Sequence, residues 1–210
     1  MSVREVIAQL FFDGKKDRAT DTIKKLNEQG RLQIIKRGLP RGYSYYQLTA
    51  KACAEVGVSE ERAEPLKAQG LARSLGVLWF ATMSSTRRTR LRNDKLPDGL
   101  PPVPGRPPHV AEVSSKDSGR IYRVHVPGEK KDHLYPLAQI REVIDEIATT
   151  GRGEEFIRSG AYAFAILVHD EEKKLRFEEA IEAQRATLKH DALVIVETAP
   201  SPGSFPLYIK

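Results

Sequence analysis

Hydrophobic positions at the start of the chain recur at helical spacing in two stretches, and an Asp-Gly pair marks a turn between them. Val3–Phe12 is predicted to form the first helix. In Lys15–Gln29, the large apolar residues Ile23 and Leu26 lie on one side of a second helix, whose remaining surface is polar. The pattern therefore predicts two consecutive helices joined by a short turn.

A hairpin is predicted directly after the second helix. Gly30 is placed to end that helix in the left-handed conformation that glycine adopts most easily. Leu32–Lys36 contains β-branched residues and reads as a strand, and Tyr43–Leu48 reads as the returning strand. The turn between them, Arg37–Gly42, is basic. A helix-turn-helix followed by such a hairpin is the arrangement of a winged helix-turn-helix.

These residues resemble the winged helix of bacterial plasmid replication-relaxation proteins and, more loosely, that of multiple-antibiotic-resistance-type regulators. The resemblance covers roughly residues 1–57 and implies a winged helix-turn-helix that binds double-stranded DNA. In such a domain another helix usually comes first, so either that helix is absent or a later segment takes its place. The matching residues are Arg18, Ala19, Ile23, Leu26, Gly30, Leu32, Gly42, Tyr45, Tyr46, Leu48 and Thr49.

The expected DNA contacts follow from this interpretation. The second helix enters the major groove, and the tip of the hairpin contacts the phosphate backbone or the minor groove. The alternative is that these polar side chains only form a solvated surface. The expected contacts are the cationic and hydroxyl side chains of both elements and of a later arginine-rich run: Lys15, Lys16, Arg18, Thr20, Thr22, Lys25, Lys36, Arg37, Arg41, Arg87, Arg88, Arg90 and Arg92.

The middle of the chain contains an apolar helix and the arginine-rich run. Leu66–Met83 has an apolar stripe at helical spacing, which indicates a buried bridging helix; the alternative is the seam of a two-fold homodimer. Arg87–Arg92 holds four arginines in six residues. We expect this run to be a second phosphate contact or the start of a further helix.

The second half alternates between strand and helix patterns, which indicates an α/β domain with a right-handed crossover between its last strands. The two most apolar segments are typical of central strands buried on both faces. The predicted strands are His109–Ser114, Arg120–Val126, Tyr162–His169 and Ala192–Thr198, with Phe205–Ile209 as a closing edge strand, and the predicted helices are Leu134–Thr149, Gly153–Arg158 and Glu171–Leu188.

A proline-rich segment, Leu96–Pro108, holds six of the thirteen prolines and is expected to be a stiff linker between two domains. The fold class predicted for the whole chain is therefore α+β with an α/β part. Its expected divisions are a winged helix-turn-helix over residues 1–57, a helical connector over 58–95, the linker over 96–108 and a small α/β domain over 109–210.

Charge is distributed unevenly between the two halves. Residues 1–107 contain 20 Lys and Arg against 11 Asp and Glu, a net charge of +9, whereas residues 108–210 contain 14 against 17, a net charge of −3. A basic front half favours a polyanionic partner such as nucleic acid.

The layout of the second half is also similar to the core of restriction-endonuclease-like nucleases. These enzymes hold Mg²⁺ with an Asp and with a Glu-x-Lys on the following strand. Here the strand Arg120–Val126 has no carboxylate; Glu112 and Asp117 lie near it, and Asp98 lies in the linker. A degenerate, non-catalytic version of this core is therefore favoured over an active metal-dependent nuclease.

No other chemistry is indicated by the sequence. The five histidines have no metal-ligand spacing, and there is no glycine-rich phosphate loop, so we expect no catalytic residue, metal or cofactor. The single cysteine, Cys53, fits a reducing compartment and is expected to be buried. Without an apolar run of ~20 residues or a signal-peptide layout, the chain is expected to be soluble and cytoplasmic, with no membrane partner.

The sequence as a whole predicts a non-catalytic protein that binds double-stranded DNA, in plasmid or phage replication or in transcriptional regulation. The alternatives are a metal-dependent nuclease and a protein-interaction module whose winged helix is only structural.

Overall fold

The structure, a computed structural model, describes residues 1–40, 42–84, 86–91, 96–97, 100, 107–112, 119–128 and 134–205, with the backbone alone at residue 189. The chain divides into two compact units. The first comprises Met1–Leu78 with Pro200–Lys210, and the second comprises Trp79–Ala199. No helix of the described residues is both long and apolar enough to cross a membrane.

The first unit combines helices with a small antiparallel sheet. Its elements in chain order are β1 (Ser2–Val3), α1 (Arg4–Phe11), α2 (Lys16–Glu28), β2 (Leu32–Ile35), β3 (Tyr45–Leu48), α3 (Ala50–Glu55), a 3₁₀ turn (Glu60–Ala63) and α4 (Ala68–Thr82), which continues into the second unit. The strands are ordered β1-β3-β2, and both neighbouring pairs are antiparallel.

Alternation along the strands gives this sheet one buried face. Val3, Ile35 and Tyr45 occupy neighbouring positions on that face and are at most 7% exposed. The Tyr45 hydroxyl accepts a hydrogen bond from the backbone N–H of Leu66 at 3.1 Å, which satisfies its polar end. Ile34 points to the other face and is 40% exposed.

The helices of the first unit end where the sequence predicts. Gly30 has φ +65°, and the backbone N–H of Arg31 donates to the carbonyl oxygen of Leu26 at 2.9 Å, which together form a left-handed helix end. Thr49 caps α3 by accepting a hydrogen bond from the backbone N–H of Ala52. Cys53, in α3, is fully buried as expected.

The second unit contains a five-stranded sheet with helices between its parallel strands. Its elements are β4 (Arg88–Leu91), β5 (His109–Glu112), β6 (Arg120–His125), α5 (Leu134–Ile147), α6 (Gly151–Arg158), β7 (Tyr162–Val168), α7 (Glu171–Gln184), two short 3₁₀ turns (Arg185–Thr187 and Lys189–Asp191) and β8 (Val194–Thr198). The order is β4-β5-β6-β7-β8; the first three strands are antiparallel, and the last three are parallel.

The core of this unit lies against β7, where every residue is buried. Such a strand is covered on both faces, as its continuous apolar sequence predicts. The buried side chains of α5, α6 and α7 that pack on one face include Ile140, Ile144, Ile157 and Phe177. The mixed helix and sheet content confirms the coarse α+β prediction for the chain.

Two predictions about the middle of the chain are wrong. The arginine-rich run does not start a helix, because Arg88–Leu91 forms the edge strand β4 and pairs with β5. The proline-rich segment does not separate two domains, since the strands on either side of it are neighbours in one sheet and the units divide between Leu78 and Trp79.

Most of the linker 96–108 and of the predicted closing strand Phe205–Ile209 lies outside the described residues. The helix predicted over Leu66–Met83 is confirmed as α4. Its side chains Leu71, Leu75 and Val77 are buried within the chain, which leaves little of the apolar stripe for a homodimer seam.

Candidate nucleic-acid interface

The second helix of the chain, α2, is held in place by its apolar side. Ala19 is fully buried and Ile23 is 5% exposed, one helical turn apart. The turn before the helix has positive φ angles at Asp13 (+50°) and Gly14 (+77°). The polar side chains of α2 are consequently directed away from the core.

Most of the predicted contacts are accessible to a ligand. Thr22 is partly buried, and Arg41 and Arg92 lie outside the described residues. The exposed members of the predicted set are Lys15, Lys16, Arg18, Thr20, Lys25, Lys36, Arg37, Arg87 and Arg90.

The predicted contacts of α2 do not share one face. A helix turns once every 3.6 residues, so Arg18, Thr22 and Lys25 form one stripe along it. Lys16, Thr20 and Lys24 form a second stripe on the opposite flank. The exposed carboxylates Asp17 and Asp21 lie between the two stripes, where they would repel phosphate. The cations of α2 therefore form two separate surfaces rather than one continuous patch.

Internal partners distinguish the two flanks. Lys24 forms an ion pair with Glu28 at 3.9 Å, and the Thr20 hydroxyl donates to the carbonyl oxygen of Lys16 at 2.9 Å. Within the described part of the chain, Arg18 and Lys25 form no ion pair or hydrogen bond through their side chains. The stripe of Arg18, Thr22 and Lys25 thus has more of its cationic groups available.

The loop between β2 and β3 presents two more cations. Lys36 and Arg37 are exposed, and no carboxylate among the described residues pairs with either of them. The loop is fixed beneath these residues, because Gly38 has φ +88° and a Cβ at its position would lie 2.6 Å from Cδ2 of Leu71 in α4. A side chain at Gly38 would have to displace part of the core.

Arg88 corrects the prediction of a second phosphate contact. Its side chain is 4% exposed, and it pairs with Glu197 at 2.8 Å and with Glu112 at 3.6 Å. Its guanidinium carbon also lies 3.8 Å from the centre of the Phe80 ring. A guanidinium that two carboxylates and an aromatic ring surround is not available to DNA.

The neighbours of Arg88 have different surroundings. Arg87 and Arg90 are exposed, so they remain candidates for contact with DNA.

Glu112, which the sequence analysis considers as a nuclease carboxylate, pairs with Arg88 and also accepts a hydrogen bond from the Tyr122 hydroxyl at 3.1 Å. Among the described residues, no three His, Cys, Asp or Glu side chains come together in a group that could hold a metal ion.

Comparisons of the chain with protein-family models, with curated proteins and with solved structures find no match.

Proposed function

We propose that the first unit is a winged helix-turn-helix that binds double-stranded DNA through α2 and the β2–β3 hairpin. The observation that carries the proposal is a group of exposed cations on these two elements that have no partner among the described residues, which includes Arg18, Lys25, Lys36 and Arg37. Unpaired surface cations are the groups that neutralise DNA phosphates and release their counterions. The resemblance of residues 1–57 to plasmid replication-relaxation proteins favours a role in plasmid or phage replication or in transcriptional regulation.

The topology of the first unit supports this proposal. Two consecutive helices lead into a hairpin, and the short strand β1 before them completes the sheet beside β3. The buried side of α2 leaves its polar surface free, as docking into a major groove requires. A helix after the hairpin, α4, packs its Leu71 against the loop and is a candidate for the supporting role that a first helix usually has in such domains.

Within this proposal the stripe of Arg18, Thr22 and Lys25 on α2 is the surface that contacts the DNA bases and phosphates. Arg18 and Lys25 are separated by about two helical turns, or about 10 Å along the helix axis. Lysine and arginine at such positions contact phosphates, and an arginine or a threonine between them also reaches base edges. The hairpin cations Lys36 and Arg37 then contact the backbone beside the groove.

The test compares two double variants that remove equal charge from α2. Arg18→Ala/Lys25→Ala removes the unpaired stripe, and the matched control Lys16→Ala/Lys24→Ala removes two cations from the opposite flank. Duplex affinity is measured by fluorescence anisotropy at several salt concentrations. We expect the first variant to bind at least about tenfold more weakly and to reduce the slope of log K against log salt by about two units.

The control separates a specific contact from the effect of net charge. If DNA association depends only on overall charge, both double variants will lose the same affinity, and the assignment of the stripe is wrong. If the unaltered chain shows no salt-dependent duplex binding, the proposal itself is wrong. All four positions are exposed, so we expect both variants to fold. Circular dichroism of each variant verifies that its helix content is unchanged.

A further inference from the structure

A second group of polar side chains lies on three neighbouring strands of the five-stranded sheet. His109 in β5 and Arg123 in β6 are a cross-strand pair, and Tyr162 in β7 lies opposite Ile121, two residues before Arg123. Side chains at these positions project from the same face of the sheet. They meet there, since Nε2 of His109 is 2.9 Å from the Tyr162 hydroxyl oxygen.

This group contains polar atoms that are buried without a partner. His109 is 1% exposed and Tyr162 is fully buried. Nε and Nη1 of Arg123 and Nδ1 of His109 are also buried, and none of these three atoms has a hydrogen-bond partner among the residues that the structure describes. Burial lowers the pKa of Arg123 and the charge of Glu146 acts to raise it, but no carboxylate among the described residues forms an ion pair with Arg123. A guanidinium in this state lowers the stability of the fold unless something compensates its charge.

The three unpartnered atoms are all hydrogen-bond donors. The guanidinium of Arg123 donates only, so the oxygen of Tyr162 beside it acts as acceptor. Burial raises the pKa of Tyr162 to about 12, so the hydroxyl keeps its proton and directs it at Nε2 of His109. The imidazole proton is then on Nδ1. The carbonyl of Pro107 lies near this ring and acts on its pKa, but it does not form a hydrogen bond with Nδ1.

We propose that Arg123 and His109 form a binding site for a single oxyanion group, that is, the phosphate or carboxylate of a small molecule. The donors of His109 and Arg123 and the positive charge of the guanidinium lie on the same face of the sheet, and the acceptors beside them, the Tyr162 oxygen and the Pro107 carbonyl, are neutral. A metal cation would be repelled by this arrangement. Water would satisfy individual donors but would bring no negative charge to the guanidinium, whereas an oxyanion supplies both acceptors and charge. Arg123 is partly exposed overall, so part of its side chain is in contact with solvent.

The site makes a stability prediction that differs from that of an ordinary structural arginine. If the role of Arg123 is to bind an anion, Arg123→Met removes a charge that has no ion-pair partner among the described residues. The melting temperature without anion then stays the same or rises. Binding sites commonly reduce stability in this way. If Arg123 instead supports the fold through Tyr162, the same substitution lowers the melting temperature.

The experiment measures thermal melting of the full chain with inorganic phosphate or acetate, at constant ionic strength set with chloride. For the unaltered chain we expect a saturable rise of about 3 °C or more when one of these anions is in tenfold excess over its Kd. The two anions distinguish a phosphate site from a carboxylate site. Arg123→Met should abolish the rise, and the matched control Arg158→Met, which removes an exposed cation of the same unit, should retain it.

Three outcomes overturn the proposal: no saturable response of the unaltered chain to either anion, a response that survives in Arg123→Met, or a fall in the melting temperature of Arg123→Met without anion. If Arg123→Met does not fold, ¹⁵N NMR of the unaltered chain decides. A saturable shift of the Arg123 Nε–H and His109 Nδ1–H signals with anion supports the site, and unchanged signals overturn it. The result is independent of DNA binding, because none of these residues belongs to α2 or the hairpin.

Discussion

His109 is almost wholly removed from water, although its imidazole can carry a charge near neutral pH. Burial and the positive charge of Arg123 lower the pKa of His109 from 6.5 to about 4. The folded chain therefore holds this side chain neutral at pH values where the unfolded chain would protonate it. The difference makes the stability of the second unit depend on pH in a defined direction.

We predict that acidification from pH 7 to pH 4 lowers the free energy of unfolding through His109 by about 3 kcal/mol. Because the pKa is depressed in the folded state, the unfolded chain binds the extra proton first. Stability is then lost as the pH falls from 6.5 to about 4 and does not change further through this group below that value.

Urea denaturation of the unaltered chain and of His109→Gln at several pH values measures this effect. Glutamine cannot titrate, so the variant retains only the pH dependence of the carboxylates and other groups. The difference between the two curves isolates His109. Parallel curves between pH 7 and pH 4 would show that the imidazole is not held neutral.

The burial and partners of individual charged residues are the features that sequence patterns predict least well. Arg88 and Arg90 look alike in the sequence, but the side chain of Arg88 is 4% exposed, whereas Arg90 is an exposed residue. The carboxylates that enclose it, Glu112 and Glu197, come from strands that are distant in the chain, and Glu197 is 109 residues away. The burial of an arginine depends on such long-range pairing, for which spacing within a short window holds no signal.

At the scale of elements, hydrophobic periodicity was informative wherever an element had a clear apolar face. The helices α2, α4 and α5 and the buried strand β7 were predicted close to their observed bounds. The strands β1 and β4 were missed for physical reasons. β1 has only two residues, and β4 is an edge strand with polar, charged side chains, as exposed edges commonly are.

The hairpin loop of the first unit supplies a prediction at this scale, since its position depends on Gly38. We expect Gly38→Ala to lower the free energy of unfolding by about 3 kcal/mol, because it adds a clash with Leu71 to the cost of φ +88°. Gly42→Ala is the matched control. Gly42 has φ +90° and nothing within 4 Å of the position of a Cβ. Gly42→Ala should therefore lower the free energy of unfolding by only about 1–2 kcal/mol, the cost of a left-handed backbone at alanine.

Chemical denaturation of the two variants measures the difference, and Leu71→Ala tests its cause. In the Leu71→Ala background the clash is removed, so Gly38→Ala should cost no more than Gly42→Ala. Equal losses for Gly38→Ala and Gly42→Ala in the unaltered background would mean that the loop does not depend on α4 for its position.

At the scale of the whole molecule, strand pairing corrects the domain boundary that composition predicts. A proline-rich segment is typical of a linker, and here it joins the neighbouring strands β4 and β5. Only long-range pairing distinguishes a loop within a sheet from a boundary between domains. The same pairing reveals a feature that no local pattern contains: the ion pair between Arg88 and Glu197 joins the two edge strands of the sheet, β4 and β8.

This ion pair requires the five-stranded sheet to curl. Edge strands four intervals apart would be separated by about 19 Å in a flat sheet, because neighbouring strands lie about 4.8 Å apart. The 2.8 Å distance between Nη2 of Arg88 and Oε1 of Glu197 therefore brings together parts of the sheet that a flat geometry would hold apart. Arg88 is at the centre of this closure, and Phe80 and Glu112 fix its orientation.

If the closure stabilises the second unit, the two edge-strand side chains must be energetically coupled. We predict that Arg88→Met lowers the free energy of unfolding by about 3 kcal/mol, since it leaves two carboxylates without their cation. Glu197→Gln should cost less, because Glu112 remains and Glu197 is 28% exposed. A double-mutant cycle should give a coupling of at least about 1 kcal/mol. The exposed pair Arg176 and Glu172 in α7, altered in the same way, is the matched control and should show at most about 0.5 kcal/mol. Equal coupling in the two cycles would mean that the link across the sheet contributes no more than a surface ion pair, and that the curl is maintained by apolar packing alone.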